Sequence, residues 1–343
     1  MTARFRERLG CWLHERWRTE LVLRLPRLAA LLGWSWLDLC NRNEHFRLDP
    51  FTSGRVCAWP DSSKLTVARV FPDVGARLLR HVLKQWPVRF APDAASSVSV
   101  EPEVSILIPI AGTARITQFR LTLAAARAQV GVAVEVVVVE QWPEPTLRDT
   151  LPEGVRYLHQ PVCAGMEFNK SLALNTAARS AAGRYLIILD ADYLIPERFA
   201  SECANVLGKV ESTRPARMIF YLDRSGSERI SVGGDVSTIT GIEGVVANNP
   251  TPIAVRRSSY WEVGGHDESY AGWGGEDTEF LDRLRTRSVG EGGWMPVLHA
   301  WHPPAAKKAD GTRNRELHDA KMTVSAVDRI RMLHRLQTEP LIP

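Results

Sequence analysis

The stretch "RYLIILDADYLIP", residues 184–196, decides how the chain is read. Leu186 to Leu189 form an unbroken apolar run, as expected for a strand buried on both faces of a parallel sheet. Asp190 and Asp192 follow, one residue apart. If the strand continues through them, alternation aims both the same way. Two converging carboxylates without a nearby Arg or Lys repel each other, and the repulsion is relieved by protonation, by splaying into water or by a cation. A hard divalent cation with oxygen ligands, Mg²⁺ or Mn²⁺, suits that geometry and also holds phosphate oxygens. The other reading is a polar turn at a strand end, where Asp is common.

Working outward, "VSILIPI" (104–110) and "VAVEVVVVEQ" (132–141) read as further buried strands, and "VRYLHQ" (155–160) as a short one. "TQFRLTLAAARAQ" (117–129) and "FNKSLALNTAARSA" (168–181) read as helices between them. Strand–helix alternation at this spacing predicts an α/β fold with a mostly parallel central sheet and flanking helices. Ligands in such sheets sit outside the carboxyl ends of the strands, where Glu140, Asp190 and Asp192 fall. Residues 215–265 are less regular. Residues 1–100 read as a mixed or helical N-terminal accessory region, 101–305 as the sheet domain and 306–343 as a helical tail. Within the first region "LTVARVF" (65–71) alternates like a strand, and "DVGARLLRHVLKQW" (73–86) has helical spacing with Asp73 as cap. "APDAASSVSVEPE" (91–103) has the composition of a linker.

The bulk composition narrows the function classes. Of 343 residues, 45% are hydrophobic and 24% charged, which suits a globular protein with a real core. The net charge of +4 and the lack of a dense Lys/Arg block argue against nucleic acid as a partner. Five scattered cysteines with no C-x-x-C pair argue against a disulfide framework or a zinc site and for a reducing compartment.

Residues 1–40 hold seven Arg against four acids, with many Leu and Trp. Their longest apolar run, "LAALLGWSWL" (28–37), has 10 residues, whereas spanning a bilayer takes about 20. No small-residue cleavage site follows, so a signal peptide is not expected. Two readings remain: a helical subdomain packed on the main fold, favoured because amphipathic helices usually face a core, and a basic, Trp-rich helix lying on a membrane surface.

A second stretch, "AGWGGEDTEF" (271–280), sets Glu276 and Asp277 after a Gly-Trp-Gly-Gly loop. Acids at a helix start meet a favourable dipole, which leaves Trp273 among three glycines unexplained. In order, "VSILIPI", "FNKSLALN", "DADYLIP" and "GWGGEDTEF" resemble the nucleotide-sugar glycosyltransferases of the GT-A fold, family 2-like, and most of all the β-1,4-galactosyltransferase type and its bacterial relatives. The resemblance covers roughly residues 104–303 and leaves the first 100 unmatched.

The resemblance implies a metal-dependent inverting transferase that moves a hexose from a nucleotide sugar, UDP-linked, to a glycan or glycolipid hydroxyl, in bacterial surface polysaccharide synthesis. It implies that Asp192 binds the divalent metal (Mn²⁺ or Mg²⁺) and that Asp190 contacts the nucleotide ribose. It implies that Phe168, Asn169 and Lys170 contact the donor, with Lys where the family has Arg, a change that keeps the charge and loses the fork. Trp273 becomes the sugar-stacking residue, beside Gly274 and Gly275. Asp277 becomes the catalytic base, and Glu276 orients the acceptor hydroxyl. A metal-ligating His near the domain's end is expected, with His302 preferred over His299. Glu140 is expected either at the uracil or ribose or as a capping acid. Pro109 and Arg115 are expected to border the nucleotide, and the Gly-rich loop to close as a lid. Asp235 and Asn249 read equally as sugar contacts or turn residues, and Trp261 and Val263 as core. The expected location is cytoplasmic or peripheral at the inner face of the membrane. A retaining polypeptide or glycan N-acetylhexosaminyl transferase and a non-catalytic sugar-nucleotide-binding protein are the alternatives.

Overall fold

A computed structural model describes residues 3–58, 62–92, 101–303 and 312–338. The N-terminal region runs α1 (Ala3–Cys11), a π-turn (Trp12–Arg16), α2 (Trp17–Arg24), α3 (Pro26–Leu31), β1 (Phe46–Leu48), β2 (Arg55–Cys57), β3 (Ser63–Lys64), α4 (Thr66–Val70) and α5 (Pro72–Leu83). The chain continues through β4 (Val104–Ile110), α6 (Ile116–Arg127), β5 (Val134–Gln141), β6 (Val155–Gln160), α7 (Lys170–Ser180), β7 (Tyr185–Ile188), β8 (Tyr193–Leu194), α8 (Phe199–Leu207), β9 (Ser212–Thr213), β10 (Ala216–Leu222) and α9 (Arg224–Ser231). It ends with β11 (Ile242–Ala247), β12 (Ile253–Arg256), α10 (Arg257–Glu262), α11 (Glu276–Leu284), β13 (Val289–Gly290), β14 (Met295–His299), α12 (Thr312–Met322) and α13 (Ala326–Thr338).

The central sheet has the order β13-β9-β12-β7-β4-β5-β6, and only β12 runs against its neighbours. This is the α/β, mostly parallel architecture expected from the sequence. Both faces of the sheet are covered. Ile106 and Ile108 of β4 join one apolar cluster with Phe119 and Leu123 of α6, while Leu107 joins a second with Ala173, Leu174 and Ala177 of α7. Two-sided burial is what an unbroken apolar run such as "VSILIPI" dictates.

A second sheet, β3-β11-β10-β14-β8, takes one strand from the N-terminal region. Leu65, Phe71, Val74 and Leu78 from that region share the larger cluster with Phe220 and Val245, so residues 1–92 and the sheet domain are built on a continuous core. The expected strand at 65–71 is instead α4. Leu65, Ala68 and Phe71, three apart, are all buried, and that spacing seats one helical face on α5 and β11 better than alternation would. The linker expected at 91–103 lies mostly outside the described residues. So do 306–311 and 339–343 of the expected tail, within which Thr312–Met322 and Ala326–Thr338 form α12 and α13.

α13 is tied to α11 by a buried ionic network. Arg283 bonds Glu279 through both Nε and Nη2, at 2.8 Å each, and donates to the carbonyls of Val263 and Gly265. Arg329 of α13 donates to Glu279 and Asp282. Glu279 and Arg283 are fully buried. Removing one partner leaves an uncompensated charge, so Arg283→Met should lower stability by about 3–5 kcal/mol. Urea denaturation monitored by circular dichroism measures this, and a loss below about 1 kcal/mol would show that the network adds little.

Candidate active site

β7 ends at Ile188 rather than continuing, and residues 190–192 turn the chain out of the central sheet into β8 of the second one. The turn is closed by Tyr193 N–H donating to Asp190 O at 3.1 Å. β8 pairs antiparallel with β14, setting His299 opposite Tyr193, and Ala300 N–H donates to Asp192 O at 2.8 Å. The Asp-Ala-Asp turn therefore joins the two sheets, and the second sheet brings the histidines to it.

Asp192 is buried. His302 Nε2 stands 3.3 Å from its Oδ2 and His299 Nε2 3.7 Å from its Oδ1. Ligand atoms of the three residues lie within 4.8 Å of one another. His302 Nδ1 is 2.8 Å from Pro303 O, a group that only accepts, so this nitrogen donates. In the neutral ring Nε2 then presents a lone pair to a carboxylate, an arrangement completed by a cation. One carboxylate oxygen and two imidazole nitrogens are a donor set for a divalent transition ion such as Mn²⁺, so the residues fit the expected metal. Both histidines belong to the group, not His302 alone. His299 is fixed by stacking on Tyr221 of β10 at 4.4 Å and edge-on against Tyr193 at 5.7 Å. Burial lowers its pKa, opposed by the Asp192 charge.

The two aspartates do not lack cations. Arg115, at the start of α6, donates from Nη1 to Asp192 Oδ2 at 2.7 Å. Burial pushes the pKa of Asp192 up, but its contacts with His302 and His299 and the charge of Arg115 outweigh it and hold the group at about 2. Lys170 Nζ lies 2.8 Å from Asp190 Oδ1, 2.8 Å from Asp277 Oδ2 and 3.9 Å from Glu276 Oε1. One ammonium thus bridges the strand-end turn and the first turn of α11, and it brings the two acidic motifs together. Three carboxylates around one ammonium leave excess negative charge. Burial raises the pKa of Asp277 most; Lys170 lowers it, Glu276 and Asp190 raise it again, and the balance stands at about 7.

The Gly-rich loop is held as well as exposed. Gly272 N–H donates to Phe168 O at 2.8 Å, Asn314 of α12 donates to Ala271 O at 3.0 Å, and Gly274 N–H donates to Glu276 Oε2 at 3.1 Å. Gly275, the residue before α11, has φ 91°, and a Cβ there would meet Tyr270 Cε1 at 2.9 Å. Trp273 at the loop tip is 61% exposed. These hydrogen bonds fix the backbone of the loop at Ala271, Gly272 and Gly274.

Several expected site residues have other tasks. Glu140 is fully buried, and its carboxylate accepts from Thr146 Oγ1 and N–H, from Leu147 N–H at 3.1 Å and from Tyr157 OH at 2.6 Å. It is the capping acid of the loop after β5, with no lone pair turned to a ligand. Pro109 is buried within β4, opposite Val139. Asn169 caps α7, accepting from Leu172 N–H at 2.9 Å and donating to Glu268 O at 2.7 Å, so its amide is taken. Phe168 packs on the second apolar cluster. Lys170 faces carboxylates rather than an open phosphate position. Asn249 bonds Thr251 at 2.9 Å and Tyr193 OH at 3.4 Å, Asp235 caps a 3₁₀ turn, Val263 is core and Trp261 packs against it. Tyr193 and Tyr221, which wall His299, were not singled out by sequence; only their aromatic character near the strand ends marked them.

A family described as the N-terminal domain of galactosyltransferase matches residues 252–294. This segment holds the Gly-rich loop, Glu276 and Asp277, and is similar to a glycosyltransferase domain over that length. Among solved structures, the chain is similar to a mannosyltransferase from Pyrobaculum calidifontis, solved with GDP-mannose and Mn²⁺, at 17% identity over 76% of each chain and a TM-score of 0.42. No curated protein matches the chain.

Proposed function

We propose that the cleft transfers a hexose from a nucleotide sugar, UDP-linked, to a hydroxyl of a glycan or glycolipid, with inversion at the anomeric carbon. The observation that carries this is the Lys170 bridge, which ties Asp190, in the same turn as the Asp192/His299/His302 group, to the half-buried acid Asp277. Asp192, His299 and His302 would hold a divalent cation, which when bound acts as a Lewis acid on the leaving diphosphate. An acceptor hydroxyl is a poor nucleophile near neutral pH, and Asp277 takes its proton. Its raised pKa matches that role, because a base works best near the operating pH. Lys170 fixes the carboxylate's position. Glu276, held by Gly274 N–H, orients the acceptor. Trp273 offers an exposed ring face to the sugar's C–H groups.

The test is a donor screen with purified protein and Mn²⁺, reading released nucleoside diphosphate and, by NMR, the anomeric configuration of the product. An inverted product from a UDP-hexose supports the reading. Retention would favour the retaining class, and binding without turnover across an acceptor panel a non-catalytic protein.

The exposed face of the N-terminal helices supports a peripheral membrane location, with the catalysis at the cytoplasmic side. Leu9, Trp12, Leu13 and Trp17 form an outward stripe, and Leu28, Leu31 and Leu32 extend it on α3. Arg6, Arg18 and Arg27 are exposed around it, while the exposed acid of the stretch, Glu7, is paired with Arg69 at 2.6 Å. Apolar side chains ringed by arginine suit the surface of an anionic bilayer. No helix among the described residues is long and apolar enough to cross a membrane. The full chain should float with vesicles containing anionic phospholipid and not with zwitterionic ones. Trp12→Glu with Leu13→Glu should abolish flotation; a wild type that stays in the bottom fraction rules the surface out.

A further inference from the structure

A charged cavity lies away from the acidic site, where the N-terminal hairpin meets the sheet domain. It has a volume of about 260 Å³ and is lined by Arg47, Arg55, Arg214, Arg217 and Arg285, with Glu291 as its acid. Ala216, beside it, begins β10, and Tyr221 on His299 lies five residues further along, a separation of roughly 17 Å at strand rise.

The charges there do not balance. Arg55 is paired with Asp38 at 2.6 Å, while Arg214 and Arg285 share the single Glu291 at 3.0 and 2.6 Å. Among the described residues, no carboxylate lies within ion-pair distance of Arg47 or Arg217. Arg217 sits at a bulge in β10 and is 2% exposed. Its Nε and Nη2 donate to the carbonyls of Leu37 and Leu39 at 2.9 and 2.6 Å, and Phe46 lies 4.4 Å under the guanidinium. Its Nη1 is buried without a partner, as is Nε of Arg214. Burial depresses the Arg217 pKa to about 10. A buried cation without a counter-charge is costly, and unspent guanidinium donors are suited to an oxyanion.

We propose that this cavity binds a phosphate-class dianion, held by the free donors of Arg217 and Arg214 and closed over by Arg47. The cavity is larger than one oxyanion needs, so the phosphate carries a small organic remainder, either a soluble metabolite or a lipid headgroup. The site is independent of the transfer chemistry and links the N-terminal region to the sheet domain through its ligand.

Calorimetry on the full chain in EDTA, with inorganic pyrophosphate as probe, tests it, alongside sedimentation with phosphatidylcholine vesicles containing phosphatidic acid, the vesicle arm being run with every protein carrying Trp12→Glu and Leu13→Glu so that the apolar stripe does not contribute. Binding should weaken about tenfold or more in Arg47→Ala and in Arg217→Gln, each of which removes a charge-assisted contact. It should persist in Asp192→Asn. Pyrophosphate binding with that pattern supports a soluble ligand, and vesicle binding alone with the same pattern a lipid one. Arg47 is exposed, so its variant decides the matter if Arg217→Gln does not fold. No binding of either probe, binding that the arginine variants leave unchanged, or loss in Asp192→Asn overturns the proposal.

Discussion

Asp277→Asn should lower kcat by about 10²–10⁴-fold, the contribution of a positioned general base, with KM for the donor little changed. The fold should survive, because Lys170 keeps Asp190 at 2.8 Å and Glu276 at 3.9 Å when the Asp277 charge is gone. The pH profile gives the sharper readout. A base acts in its carboxylate form, and the folded-state pKa of Asp277 is raised to about 7. Wild-type kcat/KM should therefore climb as pH rises through about 7 and level off above it. In Asp277→Asn that rising limb should be gone from whatever activity remains. A variant with wild-type kcat, or one that keeps the limb at the same position, would assign the proton to another group.

Asp192→Asn is the second large effect. Asn matches the shape of Asp, but it gives up the ion pair with Arg115 at 2.7 Å and the charge facing both histidines. Loss of several kcal/mol of leaving-group stabilisation corresponds to a fall in turnover of about 10³-fold. Divalent-cation affinity, measured by titration of the purified protein with Mn²⁺, should fall with it. Activity that persists in EDTA and in Asp192→Asn alike would remove the metal from the account.

Much of the sheet was legible because local pattern and tertiary burial agree. "VSILIPI" coincides with β4, since a strand buried on both faces needs an apolar run and little else, and "VRYLHQ" coincides with β6, the half-buried strand at the sheet's edge. Residues 65–71 misled because a short segment of alternating Leu, Val, Arg and Phe also satisfies one helical face, and contact with α5 and β11 decided it. The strand-end carboxylates were legible as types but not as geometry. Their cations come from Arg115 and Lys170, and the link from Lys170 to Asp277 spans 107 positions, which no local spacing encodes. The resemblance favours His302 over His299, and nothing in "LHAWHPP" shows that β14 pairs with β8 and sets His299 beside Asp192 as well. Glu140 reads in sequence like a ligand at a strand end; only the fold of the following loop, which returns Thr146 and Leu147 to its oxygens, reveals a cap.

Under the proposed function Asp192, His299 and His302 hold a divalent cation on the side of the strand-end turn that Lys170 ties to Asp277. Anomalous scattering from crystals soaked in MnCl₂ with UDP tests it most directly. A manganese peak should appear bonded to Asp192 and to at least one of the two histidines, with the diphosphate on the side facing Lys170 and Asp277. Diphosphate bound in the cleft with no manganese on Asp192, or manganese bound elsewhere on the chain, would contradict it.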